Sequence, residues 1–219
     1  SLADSDGVLL TGRLSVASHA WLADHAVRGT AVLPGTALLE LAVRAGDEVG
    51  CGRIEELTLA APLVLPDQGG VQVQLWIGSP DARGHRTLTM YSRPDAGDAS
   101  DPGEDRPWTR HADGVLAPGE QVASSDSPVW PPAGAEAVGL DGFYERAAEA
   151  GLEYGPAFRG LAAAWRVGSD GTVAAEVELS EGVAAEASSF GMHPALLDAA
   201  LHAVAFTGLG DGTAMLPFS

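Results

Sequence analysis

Apolar and polar positions along the chain fall into two runs of similar make-up. Residues 7–18 predict an opening strand that Gly12 interrupts, and a turn-rich stretch then leads to Trp21-Leu-Ala-Asp-His25. A short segment at 29–33 follows, and Pro34-Gly35 opens a helix over 36–45. Proline suits a first helical turn, Leu38, Leu39, Leu41 and Ala42 form a broad apolar stripe, and Gly46 supplies a stop. Strands come next. Residues 53–65 read as one or two, 71–77 alternate clearly, and 86–92 and 109–116 complete an antiparallel set. Residues 95–107, rich in Asp, Gly, Pro and Ser, predict an exposed, mobile loop.

Residues 118–139, rich in Pro, Ala and Ser, read as a linker, and the chain divides into 1–117, 118–139 and 140–219. The second run predicts a short amphipathic helix at 141–150, strands at 161–167 and 172–179, and an apolar helix at 194–206. Met215-Leu-Pro-Phe218 begins a further element. Each half holds a proline-started apolar helix preceded by a histidine, His25 or His193. A duplicated α+β unit, one helix wrapped by antiparallel strands, follows from that pattern.

Composition narrows the function classes. Against 30 Asp and Glu stand 12 positive residues, all arginine, for a net charge of −18. No basic stripe exists to displace counterions from phosphate, so neither nucleic acid nor an anionic lipid surface is an expected partner. No apolar run approaches the about 18 residues of a membrane helix, and no basic leader precedes an apolar core. Cys51 stands alone and can make no internal disulfide, so a reducing, cytoplasmic location is expected; it also leaves no cysteine zinc cage and suggests a buried thiol.

Three segments could carry chemistry. In the first, His25 precedes Gly29, Pro34 and Gly35 at a helix start, where an imidazole could act as a base and backbone amides could polarise a carbonyl. Burial among Trp21, Leu22, Val32 and Leu33 would keep that imidazole neutral, although a hydrogen-bonded core or turn histidine is the commoner use of the pattern. In the second, Asp198 interrupts the apolar run 194–201 with His202 one turn on. A buried acid with a raised pKa and a solvent-facing Asp–His pair weigh about equally there. In the third, Tyr154-Gly155-Pro156 places a phenol on a rigid turn, where Tyr154 and Phe158 either orient a substrate oxygen or staple the loop to the core. His19, His85 and His111 fit no ligand spacing, and no metal site is predicted.

Taken together, these segments resemble the dehydratase domain of modular polyketide synthases. The resemblance runs from the first residues to Ser219, on Trp21-Leu-Ala-Asp-His25-x-x-x-Gly29-x-x-x-x-Pro34-Gly35, Tyr154-Gly155-Pro156-x-Phe158, His193-Pro-x-x-x-Asp198 with His202, and Leu216-Pro217-Phe218. It implies a double hot-dog fold whose second hot dog is C-terminally truncated, since the family continues beyond Leu-Pro-Phe. Leu152 stands where the family usually has tyrosine. The implied reaction is dehydration of a 3-hydroxyacyl thioester, with His25 as base, Asp198 as acid and His202 helping to hold it. Tyr154, with Gly155 and Pro156, would lie near the substrate oxygens, and the Gly35 amide, after Pro34, at the thioester carbonyl. The resemblance implies no cofactor, an acyl carrier protein and neighbouring synthase domains as partners, and a homodimer. Double-bond shifting, cyclisation or a catalytically silent domain are the other outcomes the fold allows.

Overall fold

A computed structural model of the chain describes residues 6–95, 106–119 and 129–207. Most of the expected loop at 95–107, part of the expected linker and the segment 215–218 lie outside the described residues. The chain divides into two units: residues 1–23 with 30–121, and residues 24–29 with 122–217. No helix among the described residues is long and apolar enough to cross a membrane.

In the first unit, β1 (Val8–Leu14), β4 (Arg53–Leu59), β5 (Val71–Ile77), β6 (Arg86–Pro94) and β7 (Thr109–Ala117) form an antiparallel sheet in the order β1-β5-β6-β7-β4. Alternation sets its inner face: Val71, Val73, Leu75 and Ile77 of β5 are buried, with partly exposed residues between them. The helix α1 (Gly35–Asp47) packs on β4 and β7 and buries Ala37, Leu38, Ala42 and Ala45. Burying a side chain such as Leu38 contributes about 1.5–3 kcal/mol. The remaining short strand of this unit is β3 (Thr30–Ala31).

Three local expectations change here. Gly12 does not interrupt β1, because its backbone stays in register opposite Val73, and the strand instead ends before a turn held by Ser15 and Ser18. Gly46 does not stop α1; the Cys51 carbonyl comes so close that a Cβ at Gly46 would overlap it, and the chain reverses at Gly50, whose φ is 69°. Leu39 and Leu41 are only half-buried, while Glu40 is buried, its carboxylate accepting from Arg44 Nε at 3.0 Å. Of the two readings open for residues 53–65, the structure has one strand, β4, after which Val64 makes a single bridge to Val32. Cys51 is a buried thiol, its Sγ 3.9 Å from the Gly84 carbonyl.

In the second unit, β2 (His25–Val27) pairs antiparallel with β9 (Leu152–Tyr154), against which α2 (Phe143–Glu149) packs. A three-stranded antiparallel sheet runs β11-β10-β8, from β8 (Glu136–Val138), β10 (Leu161–Val167) and β11 (Thr172–Val177). The short α3 (Glu181–Ala184) leads to α4 (Pro194–His202), which tightens to a 3-10 turn over Ala203–Phe206 instead of continuing as one helix. α4 packs on β10, β11 and a 3-10 turn at Pro156–Phe158. β8 lies inside the stretch expected to be linker, and its Val138 pairs with Ala164 of β10. Strands of three residues are too short to show alternation in sequence, so pairing partners, not pattern, make β8 and β9.

Candidate active site

Backbone pairing brings the first two candidates together. His25 opens β2 and sits directly across from Tyr154, the last residue of β9. The two rings lie 5.8 Å apart at 62°, and the His25 ring lies 5.2 Å from that of Phe158, which is fully buried. His25 itself is half-buried, not enclosed as the apolar neighbours in its sequence suggest. Trp21, Leu22, Val32 and Leu33 are buried residues of the other unit.

The turn after Tyr154 is built by Asp24. The Asp24 carbonyl accepts the Gly155 N–H at 2.7 Å, and the Asp24 carboxylate accepts the Ala157 N–H at 2.8 Å. Gly155 is required there, because a Cβ would overlap the Asp24 carboxyl group. Pro156 is exposed at the start of the 3-10 turn, so Gly155 and Pro156 shape the loop that carries Tyr154. The turn is further fixed by Arg159 Nε, which donates to the Tyr154 carbonyl at 2.7 Å.

The other two candidates come from α4. Asp198 and His202 are 8 % and 7 % exposed, which decides between a buried acid and a surface pair: the pair is buried. His202 Nε2 lies 3.2 Å from Asp198 Oδ2, one helical turn away, and one hydrogen bond joins them whichever group carries the proton. His202 Nδ1 is buried with no hydrogen-bond partner among the described residues. Aromatic rings surround this imidazole: Tyr154 at 4.3 Å, Tyr144 at 5.7 Å and Phe143 at 5.8 Å. The helix start is fixed by Pro194 and by His193, whose Nδ1 accepts the Ala195 N–H at 3.2 Å.

Tyr154 thus stands between His25 and His202, within reach of the field of Asp198. Burial raises its phenol pKa, and the Asp198 carboxylate and the Tyr144 phenol raise it further. The phenol is held protonated, able to donate a hydrogen bond. Burial also raises the pKa of Tyr144, whose hydroxyl accepts the Leu161 N–H at 3.1 Å and whose ring lies under the Arg159 guanidinium at 5.5 Å. Asp24, Phe143 and Tyr144 are site neighbours that motif spacing does not single out. Asp24 lies inside the Trp-Leu-Ala-Asp-His segment, but only the fold shows what its carboxylate touches.

The structure therefore gathers His25, Tyr154, Asp198 and His202 in one unit, with Gly155 and Pro156 beside Tyr154. Pro34 and Gly35 belong to the other unit, where Pro34 caps α1 and its carbonyl accepts the Ala37 N–H at 2.9 Å. Among the described residues no group of three or more His, Cys, Asp or Glu could hold a metal ion.

Known proteins resemble this chain along its whole length. A family model described as the polyketide synthase dehydratase domain matches residues 1–93, and one described as the polyketide synthase dehydratase N-terminal domain matches 122–219. A solved structure concerned with dehydratase substrate selection for the borrelidin and fluvirucin polyketide synthases is 48 % identical, with a TM-score of 0.87 over 97 % of this chain and 73 % of that one. The chain belongs to the polyketide synthase dehydratase domain family. Its fold is the α+β hot-dog of these dehydratases. A bifunctional dehydratase-cyclase domain from ambruticin biosynthesis is 47 % identical, with a TM-score of 0.83 over 95 % of this chain and 73 % of that one. Among curated relatives, the polyketide synthase GfsA of Streptomyces halstedii is 54 % identical over 100 % of this chain. The chain spans only 3 % of the length of that synthase.

Proposed function

We propose that this dehydratase domain removes water from a 3-hydroxyacyl thioester carried on the phosphopantetheine arm of an acyl carrier protein, yielding the α,β-unsaturated thioester. His25 takes the proton from the carbon next to the thioester carbonyl. Asp198 delivers a proton to the 3-hydroxyl as the carbon–oxygen bond breaks, and water leaves. Proton return from His25 and to Asp198 resets the pair. The Tyr154 phenol donates toward the substrate oxygens, and His202 holds the Asp198 carboxyl. The family resemblance alone assigns Pro34 and Gly35 to the thioester carbonyl.

The observation that carries this reading is the run of rings from His25 through Tyr154 to His202, ending on a carboxyl buried in an apolar helix. A base and an acid on either side of a protonated phenol suit elimination, which needs one proton removed and one delivered. The reaction on this reading needs no cofactor. The partners are the carrier protein and neighbouring synthase domains, the domain acts as a homodimer, and it works in the cytoplasm.

His25→Phe and Asp198→Asn test the assignment, with the acyl group on the carrier read by mass spectrometry. Each variant is expected to lose about 100- to 10,000-fold in rate while remaining folded. Full water loss in either variant would refute the role given to that residue. The ambruticin relative, which combines dehydratase and cyclase activities, supports a second reading in which the enoyl product is then cyclised. NMR of the product separates the two.

A further inference from the structure

We infer that Asp24 is a positioning residue for the proposed elimination, holding the frame in which the His25 imidazole sits; this rests on the function proposed above. The 3-10 turn Pro156–Phe158 begins after Gly155, a residue with no side chain to cap it. Pro156 brings no N–H, so the amides on either side of it need acceptors from elsewhere. Asp24 supplies both, its main-chain carbonyl to Gly155 at 2.7 Å and its carboxylate to Ala157 at 2.8 Å. A carboxylate accepting a backbone N–H in this way acts as an N-cap donated from a distant part of the chain.

The consequence falls on His25. Asp24 directly precedes it, and the turn that Asp24 clamps carries Tyr154 on one side and Phe158 on the other. Those are the two rings the imidazole lies against, at 5.8 Å and 5.2 Å. Asp24 therefore fixes the base and its two walls as one piece. Without the carboxylate bond, the turn and the imidazole can shift relative to each other, and a base displaced by about 1 Å loses about 100-fold in rate.

The test compares Asp24→Ala, Asp24→Ser and Asp24→Asn with the unaltered protein, using a carrier-bound 3-hydroxyacyl thioester and rates normalised to folded protein. The alanine variant is expected to lose about 10- to 100-fold in kcat with KM changed less than about threefold. Asparagine keeps an oxygen acceptor, so Asp24→Asn should return to within about threefold of the original kcat. Equal loss in the alanine and asparagine variants would overturn the proposal, because charge and not the hydrogen bond would then matter. It also fails if alanine leaves kcat unchanged, or if neither the alanine nor the serine variant can be recovered folded, which would make Asp24 purely structural. If the unaltered protein dehydrates no carrier-bound substrate, the functional reading fails. The position of the base is then decided by NMR alone: nuclear Overhauser contacts from the His25 ring to Tyr154 and Phe158 should vanish in Asp24→Ala and persist in Asp24→Asn.

Discussion

Replacing His202 separates what the Asp198–His202 pair does for the fold from what it does for chemistry. His202→Ala removes a hydrogen bond to a carboxyl that is 8 % exposed, which costs about 1.5–3 kcal/mol where one partner is charged. It also empties the space between Phe143, Tyr144 and Tyr154, adding about 1–2 kcal/mol. Losing the unpartnered Nδ1 returns about 1 kcal/mol, since a buried polar atom without a partner is costly. The net loss is about 1.5–4 kcal/mol. His202→Gln keeps a donor for Asp198 and most of the volume, so it should cost about 1 kcal/mol. Hydrogen exchange of the α4 amides reads this locally, and a loss of about 3 kcal/mol appears as exchange faster by about two orders of magnitude. If the alanine variant exchanges no faster than the glutamine one, the pair does not hold α4. If it exchanges more slowly than the unaltered protein, desolvation of the pair outweighs its bond, and the reasoning is refuted.

Two further outcomes concern the first unit. Burial lowers the pKa of His111, whose Nε2 lies 2.8 Å from Ser92 Oγ and whose Nδ1 lies 3.0 Å from the Ala61 carbonyl. The unfolded chain therefore binds the proton first, so stability is full above the ordinary histidine pKa of about 6.5 and drains as pH falls through the lower folded value. Urea midpoints measured between about pH 8 and 5 should fall at the acid end, and His111→Gln should flatten that slope. Gly46→Ala drives a methyl group into the Cys51 carbonyl at the end of α1, at a cost of about 1–3 kcal/mol in thermal or urea unfolding.

How much of this was legible in the chain varies by element. Long alternating or helical segments declared themselves: residues 71–77 and the apolar helices beginning at Pro34 and Pro194 stand where their patterns put them. Such segments are long enough for periodicity to repeat, and their burial is set by that periodicity. The three-residue strands β8 and β9 were not legible, because their existence depends on partners far along the chain. Gly12 and Gly46 were misleading for the same reason: a glycine marks either a break or a close approach, and only the neighbour that approaches decides which.

For the site, residue types were in the sequence and their relations were not. The order of motifs around His25, Tyr154 and Asp198 was enough to indicate a dehydratase. Whether Asp198 and His202 faced water or the interior was undetermined, since an Asp and a His one turn apart suit both. Packing of α4 on the second sheet and on the turn Pro156–Phe158 buried them. The service of Asp24 to that turn could not be read at all, because the hydrogen bond joins residues separated by most of the chain. Local order is written in periodicity that neighbours share, whereas the surroundings of a polar side chain are fixed only when distant segments close over it.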